Sequence, residues 1–228
     1  MINVETIFYA LIGGVIPAIV WLAFWLYEDY KNPEPKKLLL RSFFFGMLAV
    51  PMVIPIQKMI DTTYPNMILI AVLLWVILEE VFKFVSAYFG GIRSSEDNEP
   101  VDPIIYMITA SLGFVALENT LFILGPLVNN DIAGSILTGN MRFIGASLLH
   151  VVSSGIVGIA LAFTFYAPKA VRNIAVLVGL ACAITFHLTF NLLIMHGGTS
   201  GGITAFIMTW VGVVILLLAF EKAKTIAP

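Results

Sequence analysis

Residues 74–84 read Leu74-Trp75-Val76-Ile77-Leu78-Glu79-Glu80-Val81-Phe82-Lys83-Phe84. Two adjacent carboxylates and a lysine sit inside an apolar run long enough to cross a bilayer. On insertion scales one such group near a helix centre costs roughly 2.5–3.5 kcal/mol. Three of them within five positions need a polar interior to face. An ionisable residue inside a membrane is a functional-site hypothesis by default. Further along, Glu118, His150, His187 and Asn191 also fall in apolar runs and supply partners.

The chain has 228 residues, 60% hydrophobic and 11% charged. Soluble domains carry about 25% charged residues, so this is an integral membrane protein with the lipid bilayer as its solvent. A net charge of −2 offers no basic surface to neutralise phosphates, which excludes a nucleic-acid partner. A single cysteine, Cys182, excludes an internal disulfide and a cysteine-rich metal site. The N-terminus has no basic segment before its first apolar run, and that run is too long for a cleavable signal. No internal repeat is visible.

A spanning helix needs about 20 mostly apolar residues. Seven segments qualify, near 5–27, 38–57, 65–89, 103–124, 139–166, 171–195 and 202–220. Pro51 and Pro55 are expected to kink or fray the second, Pro65 to sit in the first turn of the third, and Asp102 to cap the fourth. The predicted fold is an all-α bundle of seven transmembrane helices in one membrane-embedded domain, with a core over about 66–196. Lys31, Lys36, Lys37 and Arg41 dominate the first loop, Lys169 and Arg172 the fifth, and Lys222 and Lys224 the C-terminus. This alternation places the N-terminus outside and the C-terminus in the cytoplasm.

That topology fixes depth. Glu118, His150 and His187 each lie about 15 or 16 residues from the cytoplasmic ends of their helices, roughly 22–24 Å at the α-helical rise. Glu79 lies about ten residues from its own end. Polar groups from four helices thus share one layer. Within helices, Glu79 and Lys83 are four apart, Glu80 and Lys83 three apart, and His187 and Asn191 four apart, so each pair shares a face.

Four motifs stand in order: Glu79-Glu80-x-x-Lys83, then Phe114-x-x-x-Glu118-Asn119, then a lone His150, then His187-x-x-x-Asn191. Together they resemble the PrsW family of intramembrane proteases, over about residues 74–191. That family is grouped with the prenyl-protein (CAAX) endopeptidases and bacteriocin-processing proteins, and the seven-pass scaffold subunit of gamma-secretase is considered a relative. The second motif ends in histidine in the CAAX endopeptidases, where this chain has Glu118. The resemblance implies an intramembrane endopeptidase cutting a membrane-anchored protein, by analogy an anti-sigma factor, with Glu79 as the general base.

Amide hydrolysis needs an activated water, a stabilised oxyanion and a proton for the leaving amine. Glu80 is expected to pair with Lys83, His150 to share the water or relay its proton, and His187 and Asn191 to donate to the oxyanion. Glu118 would orient one of the imidazoles. This chemistry requires no cofactor. A zinc set is the alternative, built from His150 and His187 with Glu79 or Glu118, since two histidines and a carboxylate are a common catalytic arrangement. The H-E-x-x-H helix of zinc proteases is absent.

Plainer roles compete. Lys83 has the length to snorkel to the membrane surface. Asn119, and Ser153 and Ser154 with Gly155 and Gly158, read as helix packing. Trp21, Trp25 and Tyr27 read as interface anchors. As whole-chain alternatives, a non-catalytic scaffold lacks a use for Glu79 and Glu80, and a proton-coupled transporter often shows an inverted repeat, which is missing here.

Overall fold

The computed structural model describes residues 4–30 and 32–227. Lys31, one of the four first-loop cations, lies outside the described residues. The helices are α1 (Val4–Glu28), α2 (Lys36–Thr63), α3 (Ile68–Ala87), α4 (Asp102–Val128), α5 (Ile132–Met141), α6 (Ser147–Ala162), α7 (Lys169–His196) and α8 (Gly198–Ala223). A π-helical turn, Tyr88–Ile92, extends α3, and another, Arg142–Ala146, joins α5 to α6. Ile132–Ala162 is thus one span.

Among the described residues, six helices are long and apolar enough to cross a membrane. The seventh, α3, carries three charged side chains, yet its 20 residues rise roughly 30 Å, the thickness of the hydrocarbon layer. The fold is the expected all-α bundle of seven helices, and the chain is a multi-pass membrane protein.

Helix α4 is the axis. Every residue from Asp102 to Ala116 is buried. A helix that is apolar all round has no face to offer water and is covered on all sides. Helices α1, α2, α3, α5 and α6 pack on it, and α3 also packs on α2 and α7. Two glycines allow the closest approach. A Cβ on Gly46 of α2 would stand 1.9 Å from the Ala110 carbonyl oxygen, and one on Gly113 of α4 would stand 1.9 Å from that of Phe43. Without lipid-excluding hydrophobic force, such backbone contact is what binds membrane helices.

Several local expectations are corrected. Helix α2 continues through Pro51 and Pro55 to Thr63, because neighbouring helices hold a proline-interrupted span in place. Pro65 lies in the turn before α3, not in its first turn. The Asp102 carboxylate accepts the backbone N–H groups of Asn98 and Glu99 upstream, tying the preceding loop rather than capping α4. Trp25 is fully buried against Phe24 and Phe220, so it is core and no interface anchor. Tyr27 is exposed, as an anchor should be. Gly158 does serve packing, its missing Cβ leaving room for the Ile104 backbone.

Candidate active site

Helix α3 turns Glu79, Glu80 and Lys83 inward, and all three are buried. The snorkelling expectation for Lys83 fails. Its ammonium lies 2.6 Å from Glu80 Oε1 and 2.9 Å from His150 Nδ1, with the Phe114 ring 5.6 Å away. Nothing at the surface would repay pulling it from those partners.

Glu80 Oε1 is the hub. Besides Lys83, it accepts the Ser153 hydroxyl at 3.0 Å and faces His187 Nδ1 at 2.7 Å. His150 and His187 cross edge to face with ring centres 4.8 Å apart. His150 Nε2 lies 3.2 Å from Glu118 Oε2, and Arg142 forms an ion pair with that same oxygen. Glu79 Oε1 accepts the Gln57 amide at 2.9 Å, while Oε2 is buried without a hydrogen-bond partner, 3.8 Å from His187 Nε2.

These partners fix the tautomers of the neutral rings. An ammonium only donates, so His150 Nδ1 accepts and its proton sits on Nε2, facing Glu118. A carboxylate only accepts, so His187 carries its proton on Nδ1, which leaves the Nε2 lone pair free toward Glu79.

Five of the six residues singled out from sequence therefore meet: Glu79, Glu80, Glu118, His150 and His187. Asn191 does not join them. It is half-buried one turn beyond His187, and its side chain makes no hydrogen bond among the described residues. Asn119 is bonded as packing requires, donating to Ser147 and accepting from Arg142 Nε at 2.5 Å.

Sequence reading missed Gln57 and Arg142, and took Ser153, which donates to Glu80, for helix packing. A fifth span expected to start near 139 leaves Arg142 in its first turn, at the membrane edge. The helix starts at Ile132, which carries Arg142 into the membrane, onto the Phe122 ring at 3.9 Å and against Glu118. A π turn begins at Arg142, and such turns gather at functional sites.

Beside the cluster lies a cavity of about 350 Å³ between α2, α3 and α4. Gln57, Glu79 and Glu118 form its polar end. Ile54, Leu121 and Phe122 form its rim and are exposed on the outside of the bundle. The carboxylates thus connect sideways to the lipid-facing surface.

The donors also suit a divalent metal. Glu79, His150 and His187 each offer a ligand atom within 4.8 Å of the others. Glu79 Oε2 is unpaired, and Glu80 holds the far nitrogen of His187 as the outer partner of a metal-bound imidazole does. His150 joins such a set only after giving up one contact, since Lys83 holds Nδ1 and Nε2 carries the proton.

Fold and site together define a polytopic membrane protein with a buried acid–imidazole centre. A profile described as PrsW family intramembrane metalloprotease matches residues 34–220, and the chain belongs to that family. Among relatives named Protease PrsW, that of Geobacillus kaustophilus is 33% identical over 132 residues, 57% of this chain and 59% of the relative. That of Halalkalibacterium halodurans is 27% identical over 158 residues, 68% of each chain. The Bacillus subtilis protein is 28% identical over 132 residues, 57% of this chain and 61% of the relative. The chain thus spans under two thirds of the Geobacillus and Bacillus proteins it matches. No solved structure matches it.

Proposed function

We propose that this chain is an endopeptidase that hydrolyses a peptide bond in a membrane-anchored protein, at or within the bilayer. The observation that carries this reading is Glu79 Oε2: a buried carboxylate oxygen without a partner, facing a free imidazole lone pair beside a laterally open cavity. Glu80 and Asp97 also keep one unpartnered oxygen, but each holds a cation through the other; Glu79 has no lysine or arginine partner and borders the cavity. A general base needs such an oxygen free for water.

In this reading a substrate segment enters from the lipid side, past Ile54, Leu121 and Phe122. Glu79 takes a proton from the attacking water while His187 Nε2 accepts its other hydrogen bond. The hydroxide adds to the scissile carbonyl, and Glu79 returns the proton to the leaving amine. Because His187 Nε2 is an acceptor, it cannot donate to the oxyanion, and Asn191, whose amide is uncommitted, takes that role only by swinging toward the cluster when substrate is bound. Glu80 orients His187, and Arg142 holds Glu118 against His150. Where a divalent metal is bound, Glu79, His150 and His187 would hold it, and it would supply Lewis-acid activation of water and carbonyl. The family description favours a metal, while the Lys83 contact on His150 favours the metal-free form.

The N-terminus outside and C-terminus inside remain the orientation we assign, from the basic loops. The substrate class, by the family resemblance, is an anti-sigma factor or a similar single-span protein.

The test is Glu79→Gln in the full chain, assayed on a membrane-anchored reporter. Cleavage should fall by roughly 10²–10⁴-fold while the melting temperature holds, because glutamine still accepts from Gln57. Undiminished cleavage by a folded Glu79→Gln protein overturns the reading. Metal content of the active protein by elemental analysis decides between the two forms.

A further inference from the structure

A second cavity, of about 790 Å³, lies on the opposite side of α3, between the end of that helix and the start of α7. Three cations line it: Arg93, Lys169 and Arg172. Its other walls include Phe84, Tyr88, Val176 and Leu177. Leu177 is 67% exposed, so the apolar part opens to lipid. The cations sit where the helices end and the apolar walls run into the bundle.

Among the described residues, Arg93 and Lys169 form no salt bridge. Arg93 rests on the Phe89 ring, 5.9 Å from its centre. Arg172 is paired with Asp97 at 3.5 Å and stacks on Phe165. Among the described residues Asp97 is the one carboxylate in a salt bridge with these cations, and its other oxygen is buried without a partner. Lys169 opens α7, so the positive end of a 28-residue helix points the same way.

We infer that this cavity binds a glycerophospholipid with an anionic headgroup. The headgroup phosphate lies among Arg93, Lys169 and Arg172, and an acyl chain lies along Phe84, Val176 and Leu177. A basic pocket between transmembrane helices at the membrane surface is suited to such headgroups. A soluble anion would leave the apolar walls unused, and a zwitterionic lipid would leave two cations uncompensated. The site follows the α3–α7 seam that also joins Glu80 to His187, about 16 Å away by helical rise from Val176. It does not depend on the protease reading.

The test uses the purified full chain, with bound lipid counted by native mass spectrometry after equal additions of phosphatidylglycerol and phosphatidylcholine. Phosphatidylglycerol should be retained at least tenfold better. Each cation near a membrane surface is worth roughly a fivefold gain, so Arg93→Gln should lose about that much, and the triple Arg93→Gln, Lys169→Gln, Arg172→Gln protein should lose the preference altogether. Asp97→Asn removes the competing carboxylate and should strengthen binding, which keeps the proposal testable if the triple variant does not fold. Equal retention of the two lipids overturns the inference, as does an unchanged preference in the triple variant or weaker binding by Asp97→Asn. Glycerol 3-phosphate binding as tightly as the lipid also overturns it, since the apolar walls would then contribute nothing. So does an acidic soluble peptide that binds with the same sensitivity to the variants while phosphatidylglycerol does not.

Discussion

Lys83 Nζ and His150 Nδ1 meet at 2.9 Å inside the bundle, with the lysine fully buried. An ammonium and a divalent ion cannot share one imidazole nitrogen. Lys83 therefore stands against metal binding while holding Glu80 in place. Replacing it with methionine should tighten zinc binding, read by calorimetry on the purified protein. The same change strands the Glu80 charge and should cost about 3–5 kcal/mol of stability. Unchanged or weaker zinc affinity in Lys83→Met would show that the two cations do not compete.

Arg142 and Glu118 form a half-closed ion pair, with side chains 14% and 17% exposed. Removing one partner leaves a charge among apolar helices, whereas removing both leaves none. Arg142→Leu alone should destabilise more than Arg142→Leu with Glu118→Leu, with a coupling of about 1 kcal/mol or more in a double-mutant cycle. Additive losses in melting temperature would reduce the pair to an incidental surface contact.

The bundle was legible in sequence because its signal is long and redundant. Seven apolar runs near bilayer length allow few other arrangements, and helical spacing set Glu80 three residues from Lys83. The site was legible because buried charge is costly, so Glu79, Glu80, Glu118, His150 and His187 stood out against their surroundings. Arg142 did not. Residues 129–140 include Asn129, Asn130, Asp131, Gly134, Gly139 and Asn140, a composition that reads as a loop. The Asp131 carboxylate accepts the Gly134 N–H and starts a helix there regardless. Gln57 and Ser153 carry no charge, and only the packed structure shows which oxygen they bond. Asn191 shows the converse limit: four-residue spacing puts it on the face of His187 but does not make it reach the cluster.

The α2–α4 contact depends on two missing side chains. Gly46→Val would drive a branched side chain into the Ala110 carbonyl and should cost about 3 kcal/mol, the upper range for overpacking. Gly125→Ala is the matched control on α4, since nothing lies within 4 Å of its added Cβ. It should be neutral or slightly stabilising, because alanine is the better helix former. Equal effects of the two changes on melting temperature in detergent would remove the close-approach account.

Outside the spans, burial has consequences for acids at the helix ends. Asp29 follows α1 and is 7% exposed, with Oδ2 unpartnered. Burial pushes its carboxyl from 3.8 up to about 7, helped by the nearby charges of Asp102 and Glu99 and opposed by Lys224. Glu34 is pushed from 4.5 up to about 8, again mainly by burial, although the Tyr106 hydroxyl donates to it and pulls the other way. An acid with a raised folded pKa keeps its proton longer in the folded state than in the unfolded chain. The folded state then binds more protons between the two values, so stability falls as pH rises through that window and levels off above it. For Asp29 the loss runs from about pH 4 to pH 7, and for Glu34 from about pH 4.5 to pH 8. Asp29→Asn should therefore raise the melting temperature at pH 8, by roughly 2–4 °C for each kcal/mol recovered, and leave it unchanged at pH 4. A gain of equal size at both pH values would mean that the substitution acts through packing and not through the buried charge.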